Sequence, residues 1–182
     1  MIWALLGCTG SSDETGPTGV DTAEPVTRDS GVELTAGTFD LVAADGWVID
    51  ASVDPAPEHL DGHTCDPSGV LVEDGLLEVR TGDCAYAVVR QASLAEVGAG
   101  DRLELLVYHS ALTADEEGEG HVALAVEGEL VWEKTVAIPS TSQVYATEWT
   151  AEAAVEVGAD VVLHLHNHGS NAWNLGHFRV SR

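Results

Sequence analysis

Residues 70–79, VLVEDGLLEV, decide the fold class of this chain. The pair Asp74-Gly75 separates two short apolar runs, and such a pair favours a two-residue turn between antiparallel strands. A second pair, Glu127-Gly128, stands in the same way between the apolar runs 122–126 and 130–132. The sequence therefore predicts two β-hairpins, one in each half of the region beyond residue 38.

The region beyond Thr38 continues this pattern to the end of the sequence. Short runs rich in Val, Leu, Ala and aromatic residues alternate with turn residues, and no long segment keeps a helical period, although 92–98 could form one helical turn. Many short strands at regular spacing predict an all-β fold, a two-sheet β-sandwich of the jelly-roll type. The predicted strands are 46–52, 69–73, 76–80, 85–91, 102–109, 121–127, 129–137, 143–149, 151–157, 160–167 and 172–180.

The composition favours a soluble, strongly acidic domain. The chain has 182 residues, of which 45% are hydrophobic, so it can build one core of ordinary size. There are 31 acidic and seven basic side chains, which gives a formal net charge of −24. Such a charge repels phosphate backbones and anionic lipids, so we expect no nucleic-acid partner and no electrostatic attraction to membranes.

The first residues indicate a lipid anchor. Met1 to Leu6 are apolar, and Leu5-Leu6-Gly7-Cys8 resembles a lipobox, the signal that directs a diacylglycerol onto the cysteine. The resemblance implies a bacterial lipoprotein anchored through Cys8, with Thr9 in place of the aspartate that retains lipoproteins at the inner membrane. We therefore expect an outer-membrane lipoprotein that faces the periplasm or the cell surface; a free cysteine on a frayed terminus is the alternative.

Residues 9–35 read as a flexible linker. They are mostly Gly, Ser, Thr, Pro and acidic residues with few large apolar groups. Such a segment buries too little surface to offset the entropy lost on ordering. The predicted organisation is a signal remnant over 1–8, a disordered acidic tether over 9–35 and a β-sandwich domain over 36–182, and no apolar run is long enough to cross a bilayer.

Three local patterns resemble the galactose-binding-like jelly rolls found in many carbohydrate-binding modules. The resemblance implies a two-sheet sandwich that opens with a buried tryptophan and binds glycans or other partners without catalysing a reaction. The sequence itself shows no platform of several aromatic residues, so the ligand class stays open between a glycan and another surface partner. The patterns are Gly37-Thr38-Phe39-Asp40 with Gly46-Trp47, the passage 85–91 with 97–103, and the close 171–173 with 178–180.

Two cysteines follow Cys8, at positions 65 and 84. In an exported protein an isolated pair most simply forms a disulfide, here one that closes a loop around the 70–80 hairpin. The alternative is a catalytic thiol at Cys65, because His63 lies two residues before it. No residue nearby supplies the third, orienting group that such a site uses, so the disulfide is favoured.

Three histidines stand in the run VLHLHNHG, residues 162–169. Strand side chains alternate between faces, so the two leucines should point to the core while His164, His166 and His168 share the other face. Same-face neighbours lie about 6.8 Å apart along a strand, close enough for two imidazoles to bind one metal ion. His164 and His166 are therefore candidate zinc or iron ligands, and the three histidines are candidate ligand-binding residues.

The spacing of Gly158 from His164-x-His166 also resembles the first motif of cupins, a jelly-roll family with metalloenzymes. The glutamate expected after the second histidine is replaced by Ser170 and Asn171. The sequence contains no Gly-x-Ser-x-Gly, P-loop or His-Glu-x-x-His motif that would indicate another chemistry. The leading hypothesis is therefore a non-catalytic binding module, and the alternative is a small metal-dependent enzyme or metal-binding protein.

Three further residues are candidate ligand contacts because they end or begin strands near the histidine run. Tyr108 and His109 end one predicted strand and His121 begins another, and we expect the histidines among them to approach the face that carries His164 and His166. The acidic loop 115–119 could bind calcium, which prefers carboxylate oxygens. No cofactor is expected, with bound zinc or calcium as the alternative, and the oligomeric state is left open.

Overall fold

The computed structural model describes residues 36–59 and 65–182. Within these ranges the chain forms eleven strands and three short 3-10 helices, the latter at Ala51–Val53, Pro57–His59 and Pro67–Gly69. The predicted all-β class is confirmed. The strands are β1 Thr38–Asp40, β2 Val48–Ile49, β3 Val70–Glu73, β4 Leu76–Arg80, β5 Tyr86–Ala92, β6 Arg102–His109, β7 Gly118–Val126, β8 Glu129–Ile138, β9 Gln143–Thr150, β10 Asp160–Asn167 and β11 Ala172–Ser181.

The strands form two antiparallel sheets, which pack as the predicted sandwich. Sheet A has the order β3-β4-β11-β6-β9, with β1 paired to β11. Sheet B has the order β2-β5-β10-β7-β8. Alternate residues of each strand point into the space between the sheets, where they exclude water and form the core. Among the fully buried side chains of this core are Leu105, Leu124, Leu165, Phe178 and Val180.

Both predicted hairpins are confirmed. β3 pairs with β4 and β7 pairs with β8, each across a two-residue turn. Asp74 and Gly75 have φ of 51° and 78°, and Glu127 and Gly128 have φ of 51° and 82°. A turn with two left-handed residues matches the right-handed twist of the flanking strands, which explains why both turns end in glycine.

Three predicted elements differ from the structure. The expected strand 151–157 is a connecting segment with one bridge, Val155 to Val97, because its first amide is bonded to the turn at Asp101 and not to a neighbouring strand. The helical turn expected over 92–98 is absent, since this stretch forms that same bridge. The expected strand 46–52 is reduced to β2, because the Asp50 side chain caps a 3-10 helix directly after it.

Polar groups in the patterns that resemble galactose-binding-like jelly rolls form hydrogen bonds that fix neighbouring loops. The Gln91 side chain is buried and accepts a hydrogen bond from the Ala43 amide at 2.6 Å. The Asp101 carboxylate accepts one from the Gly98 amide at 2.7 Å and closes the turn into β6. Trp47 is half-buried rather than fully buried, and its indole nitrogen donates to the Ala43 carbonyl at 2.8 Å. These contacts fix the path of the chain before β2 and β6.

The predicted disulfide between Cys65 and Cys84 is confirmed, with the two Cα atoms 3.9 Å apart. Cys84 is fully buried, and a Cβ atom at Gly69 would come within 2.8 Å of its Cβ, so the bond sits against close-packed backbone. The catalytic-thiol alternative at Cys65 is therefore wrong, because its sulfur is bonded to Cys84.

Several predictions concern residues outside the described ranges. Cys8, the signal remnant 1–8, the linker 9–35 and His63 all lie there. Within 36–59 and 65–182, no helix is long and apolar enough to cross a bilayer.

Candidate ligand site

Strand β10 carries the histidine run in the middle of sheet B. Leu163 and Leu165 point into the core, and His164 and His166 point to the outer face of the sheet, as the alternation predicts. His166 lies between Tyr86 of β5 and His121 of β7 in one row across the sheet. The outer face of sheet B therefore carries a row of polar aromatic side chains.

A short segment, residues 50–58, covers part of this outer face and is called the cover segment below. Its residue Val53 packs on a small apolar cluster that includes Val88 of β5 and Val162 of β10, and Ala56 is buried. On the same face, His164 is 0% exposed and His166 is 7% exposed. Imidazoles in this position are constrained by protein contacts and not by solvent.

Asp54 of the cover segment joins it to the sheet. Its Oδ1 accepts hydrogen bonds from Nδ1 of His164 at 2.7 Å and from the Ala56 amide at 2.9 Å, and the Tyr86 hydroxyl donates to its Oδ2. Burial, with the bond to Asp54, raises the pKa of Tyr86, so this phenol keeps its proton and donates. One buried carboxylate thus orients the His164 ring and fixes the cover segment.

The structure brings the four histidines of this face together as an imidazole cluster: His121, His164, His166 and His168. The His121 ring centre lies 5.3 Å from that of His164, and the rings of His166 and His168 are 4.5 Å apart. His121 Nε2 lies 3.0 Å from a Glu133 carboxylate oxygen, and His168 is exposed. The prediction that His121 approaches His164 and His166 is therefore confirmed.

Metal binding at this cluster stays a prediction. Within the two described ranges, no group of three or more His, Cys, Asp or Glu side chains is arranged to hold a metal ion. Nδ1 of His164 is bonded to Asp54, an arrangement that orients imidazoles in metal sites and equally in purely structural networks. Metal analysis of the purified protein would test two predictions: zinc or iron at His164 and His166, and calcium at the exposed loop 115–119.

Tyr108 and His109 lie elsewhere, and the prediction that His109 approaches the His164 face is wrong. Both residues belong to β6, which is in sheet A between β11 and β9. Tyr108 is half-buried and pairs with Asn174 and Val144, whereas His109 points to the inside of the sandwich. The sequence predicted that His109 lies on the same face as His164. The jelly-roll connections instead place their strands, β6 and β10, in different sheets.

His109 instead belongs to a group of aromatic side chains between the edge strands β8 and β9. This group is called the edge cleft below. Its Nδ1 donates to the Ser110 carbonyl at 2.8 Å, and its Nε2 is hydrogen-bonded to the Tyr145 hydroxyl at 3.1 Å. The His109 ring also lies 4.5 Å from the buried Trp173 ring. The Gln143 side-chain oxygen is 3.1 Å from the same Tyr145 hydroxyl.

Trp132 of β8 faces Tyr145 of β9 across the edge cleft, with their ring centres 6.3 Å apart. Both side chains are half-buried, and the Tyr145 ring is stacked on Trp173 at 6.3 Å and 18°. Burial raises the pKa of Tyr145, so its hydroxyl is neutral. The ammonium of Lys134, the only lysine of the chain, lies 5.7 Å from the Tyr145 ring centre.

This arrangement is suited to a small polar ligand with an apolar face. Partly open aromatic rings can pack against the C–H face of a sugar ring, while hydroxyl, amide and ammonium groups beside them hydrogen-bond its hydroxyls. Sequence reasoning missed Trp132, Tyr145 and Trp173, because they come from both sheets. The available signal was the spacing of Tyr145 and Trp149, four residues apart and hence on one face of a strand.

No protein-family model matches the chain, and no curated protein matches it. Among solved structures, it is similar to a cleaved adhesin domain of Lys-gingipain from Porphyromonas gingivalis, with 14% identity over 81% of this chain and 98% of that one and a TM-score of 0.42. It is also similar to the N-terminal cellulose-binding domain of a Cellulomonas fimi β-1,4-glucanase, with 16% identity, coverage of 64% and 88% and a TM-score of 0.38. A third similar structure is a family 51 carbohydrate-binding module from Clostridium perfringens in complex with methyl-galactose. Its identity to this chain is 10%, over 65% of this chain and 78% of that one, with a TM-score of 0.36. These likenesses concern the fold alone.

Proposed function

We propose that this chain is a non-catalytic binding module that holds a glycan in the edge cleft. The observation that carries the proposal is the pair Trp132 and Tyr145, two partly open rings that face each other beside polar groups. His109 and Gln143 hold the Tyr145 hydroxyl and so fix the ring in place. A ring that is already ordered loses little entropy when a ligand packs on it.

The charge of the protein limits which class of glycan it can bind. A formal net charge of −24 repels uronic acids and sulfated sugars, although the Lys134 ammonium lies 5.7 Å from the Tyr145 ring centre. A neutral sugar chain gains the aromatic contact and meets no such repulsion. The proposed ligand is therefore a neutral oligosaccharide or polysaccharide.

Replacement of Trp132 or Tyr145 by alanine is expected to weaken binding of a neutral oligosaccharide about 10–30-fold, because aromatic anchors dominate small binding sites. The ligand is first chosen with an array of neutral and anionic glycans, and its Kd is then measured by titration calorimetry. The matched control is Tyr108→Ala, which removes the same ring from the outer face of sheet A. Melting curves of all three variants show whether each is folded.

Two outcomes would contradict the glycan proposal. One is an array on which the folded protein retains no neutral glycan. The other is a Kd that changes equally in Tyr108→Ala and in the two cleft variants. Tyr145→Phe separates the role of the ring from that of the hydroxyl, because it keeps the ring and removes the hydroxyl next to His109. Its loss of glycan affinity should be smaller than that of Tyr145→Ala.

The proposal includes an anchor at Cys8, from which the acidic linker 9–35 would hold the module away from an outer membrane. The lipobox-like run before Cys8 supports the anchor, and Thr9 supports export beyond the inner membrane. We expect the native protein to partition into detergent and Cys8→Ala to stay in the aqueous phase, since an acyl chain contributes about 0.8 kcal/mol for each buried CH₂ group. Aqueous partitioning of both proteins would rule out the lipid.

A further inference from the structure

A separate pocket lies between the same two edge strands and is not lined by Trp132 or Tyr145. The pocket has a volume of about 520 Å³ and is bounded by β8, β9 and the connecting segment 151–155. Leu103, Val161 and Phe178 form its floor, and all three are buried core residues. A volume in this range is typical of sites for small molecules.

The pocket lies beside an irregularity in the pairing of β8. Leu124 of β7 pairs with Trp132 and the next residue, Ala125, pairs with Leu130, so Val131 is a bulge near the start of β8, and a bulge bends its strand. On the other side, Trp149 of β9 stacks on Phe178 at 6.0 Å and 15° and forms one wall. The pocket therefore lies between the start of β8 and the end of β9.

The mouth of the pocket is apolar but flanked by negative charge. Leu130 lines the pocket and is 50% exposed, so it presents apolar surface at the mouth. Glu127, Glu129 and Glu152 also line the pocket, and no basic residue is among its lining residues. An anionic head group at this mouth would be repelled, and a cationic or uncharged one would not.

We propose that this pocket is a second ligand site, which binds an alkyl chain or an aryl ring that carries a cationic or uncharged head group. The apolar part packs on Trp149, Phe178 and the floor, and the head group stays at the mouth near the three glutamates. Burial of apolar surface drives the binding, so affinity rises with chain length, by about fourfold for each added CH₂ group.

The test uses the full chain and the neutral fluorescent probe N-phenyl-1-naphthylamine, with displacement by alkyltrimethylammonium and alkyl sulfate ions of equal length below their micelle concentrations. We expect probe fluorescence on binding, displacement by the ammonium series with about fourfold gain for each CH₂ group, and at least tenfold weaker displacement by the sulfates. Absence of probe binding, or equal displacement by both series, would overturn the proposal.

Two variants locate the site. Leu130→Asp puts a charge at the mouth, and Ala153→Trp fills the opening from an exposed position, so both should weaken probe binding at least tenfold. The control is Val144→Asp, which places the same charge on β9 at a residue that is 67% exposed and does not line the pocket. Unchanged binding in a folded Ala153→Trp variant would show that the probe binds elsewhere, which also overturns the proposal.

Discussion

Replacement of Asp54 by alanine is expected to lower the free energy of unfolding by about 3–5 kcal/mol, because it leaves several buried hydrogen-bond donors without their acceptor. The Asp54 side chain is 2% exposed and that of His164 is 0% exposed. The change removes the acceptor used by His164 Nδ1, the Tyr86 hydroxyl and the Ala56 amide. A domain of this size has a total stability of only about 5–15 kcal/mol, so the effect is large.

Urea unfolding of Asp54→Ala and of Glu58→Ala measures this effect with a matched control. Glu58 is exposed in the same cover segment, so its variant loses one negative charge and no buried hydrogen bond. We expect Glu58→Ala to stay within about 0.5 kcal/mol of the parent, as surface substitutions do. Equal stability of the two variants would show that Asp54 does not hold the cover segment.

Hydrogen exchange on Asp54→Ala locates the loss. The amides of β5 and β10 that lie under the cover segment should exchange faster, because the segment opens without its carboxylate. The amides of β6 in sheet A should keep their relative protection, because the strands of Tyr86 and His164 belong to the other sheet. Asp54→Asn, which retains one acceptor oxygen, should lose less stability than Asp54→Ala.

The sequence predicted the sheet architecture well, because the period of a strand is a local property. The hairpins at Asp74 and Glu127 need only two turn residues and their flanking runs. The segment 151–157 shows the limit of this reasoning: alternation describes which side of a chain is apolar, but a strand also requires a partner. Its backbone instead bonds to the turn near Asp101, which no local pattern reveals.

The candidate sites were harder to predict, because they depend on which strands become neighbours. The shared face of His164 and His166 followed from alternation within one strand. The bond from His164 to Asp54 joins residues 110 positions apart, and the contact of Trp132 with Tyr145 joins two sheets. His109 was assigned to the wrong face for the same reason, since only the connections between sheets decide where β6 lies.

The second large effect we expect comes from loss of the disulfide. The double variant Cys65→Ala, Cys84→Ala should have a free energy of unfolding about 3 kcal/mol lower than that of the parent. The bond joins residues 19 positions apart, and in the chain-entropy account a loop of this size is worth about that much. For a domain of roughly this size the melting temperature should fall by about 6–12 °C. Replacing both residues avoids a lone buried thiol at position 84.

The structure also indicates where the reduced protein should loosen first. The disulfide ties the residues before β3 to the start of β5, beside a hydrogen bond from the Asp66 amide to the Asp83 carbonyl at 3.0 Å. The Ala85 carbonyl in turn accepts from the Asn167 amide, so loosening should spread to the end of β10 that carries the imidazole cluster. β6 and β9 in sheet A should stay protected, because neither strand pairs with β3 or β5, the strands next to the bond. Hydrogen exchange with and without reductant tests this order; two free thiols in the intact mass of the exported protein, or identical melting curves, would contradict the role given to the bond.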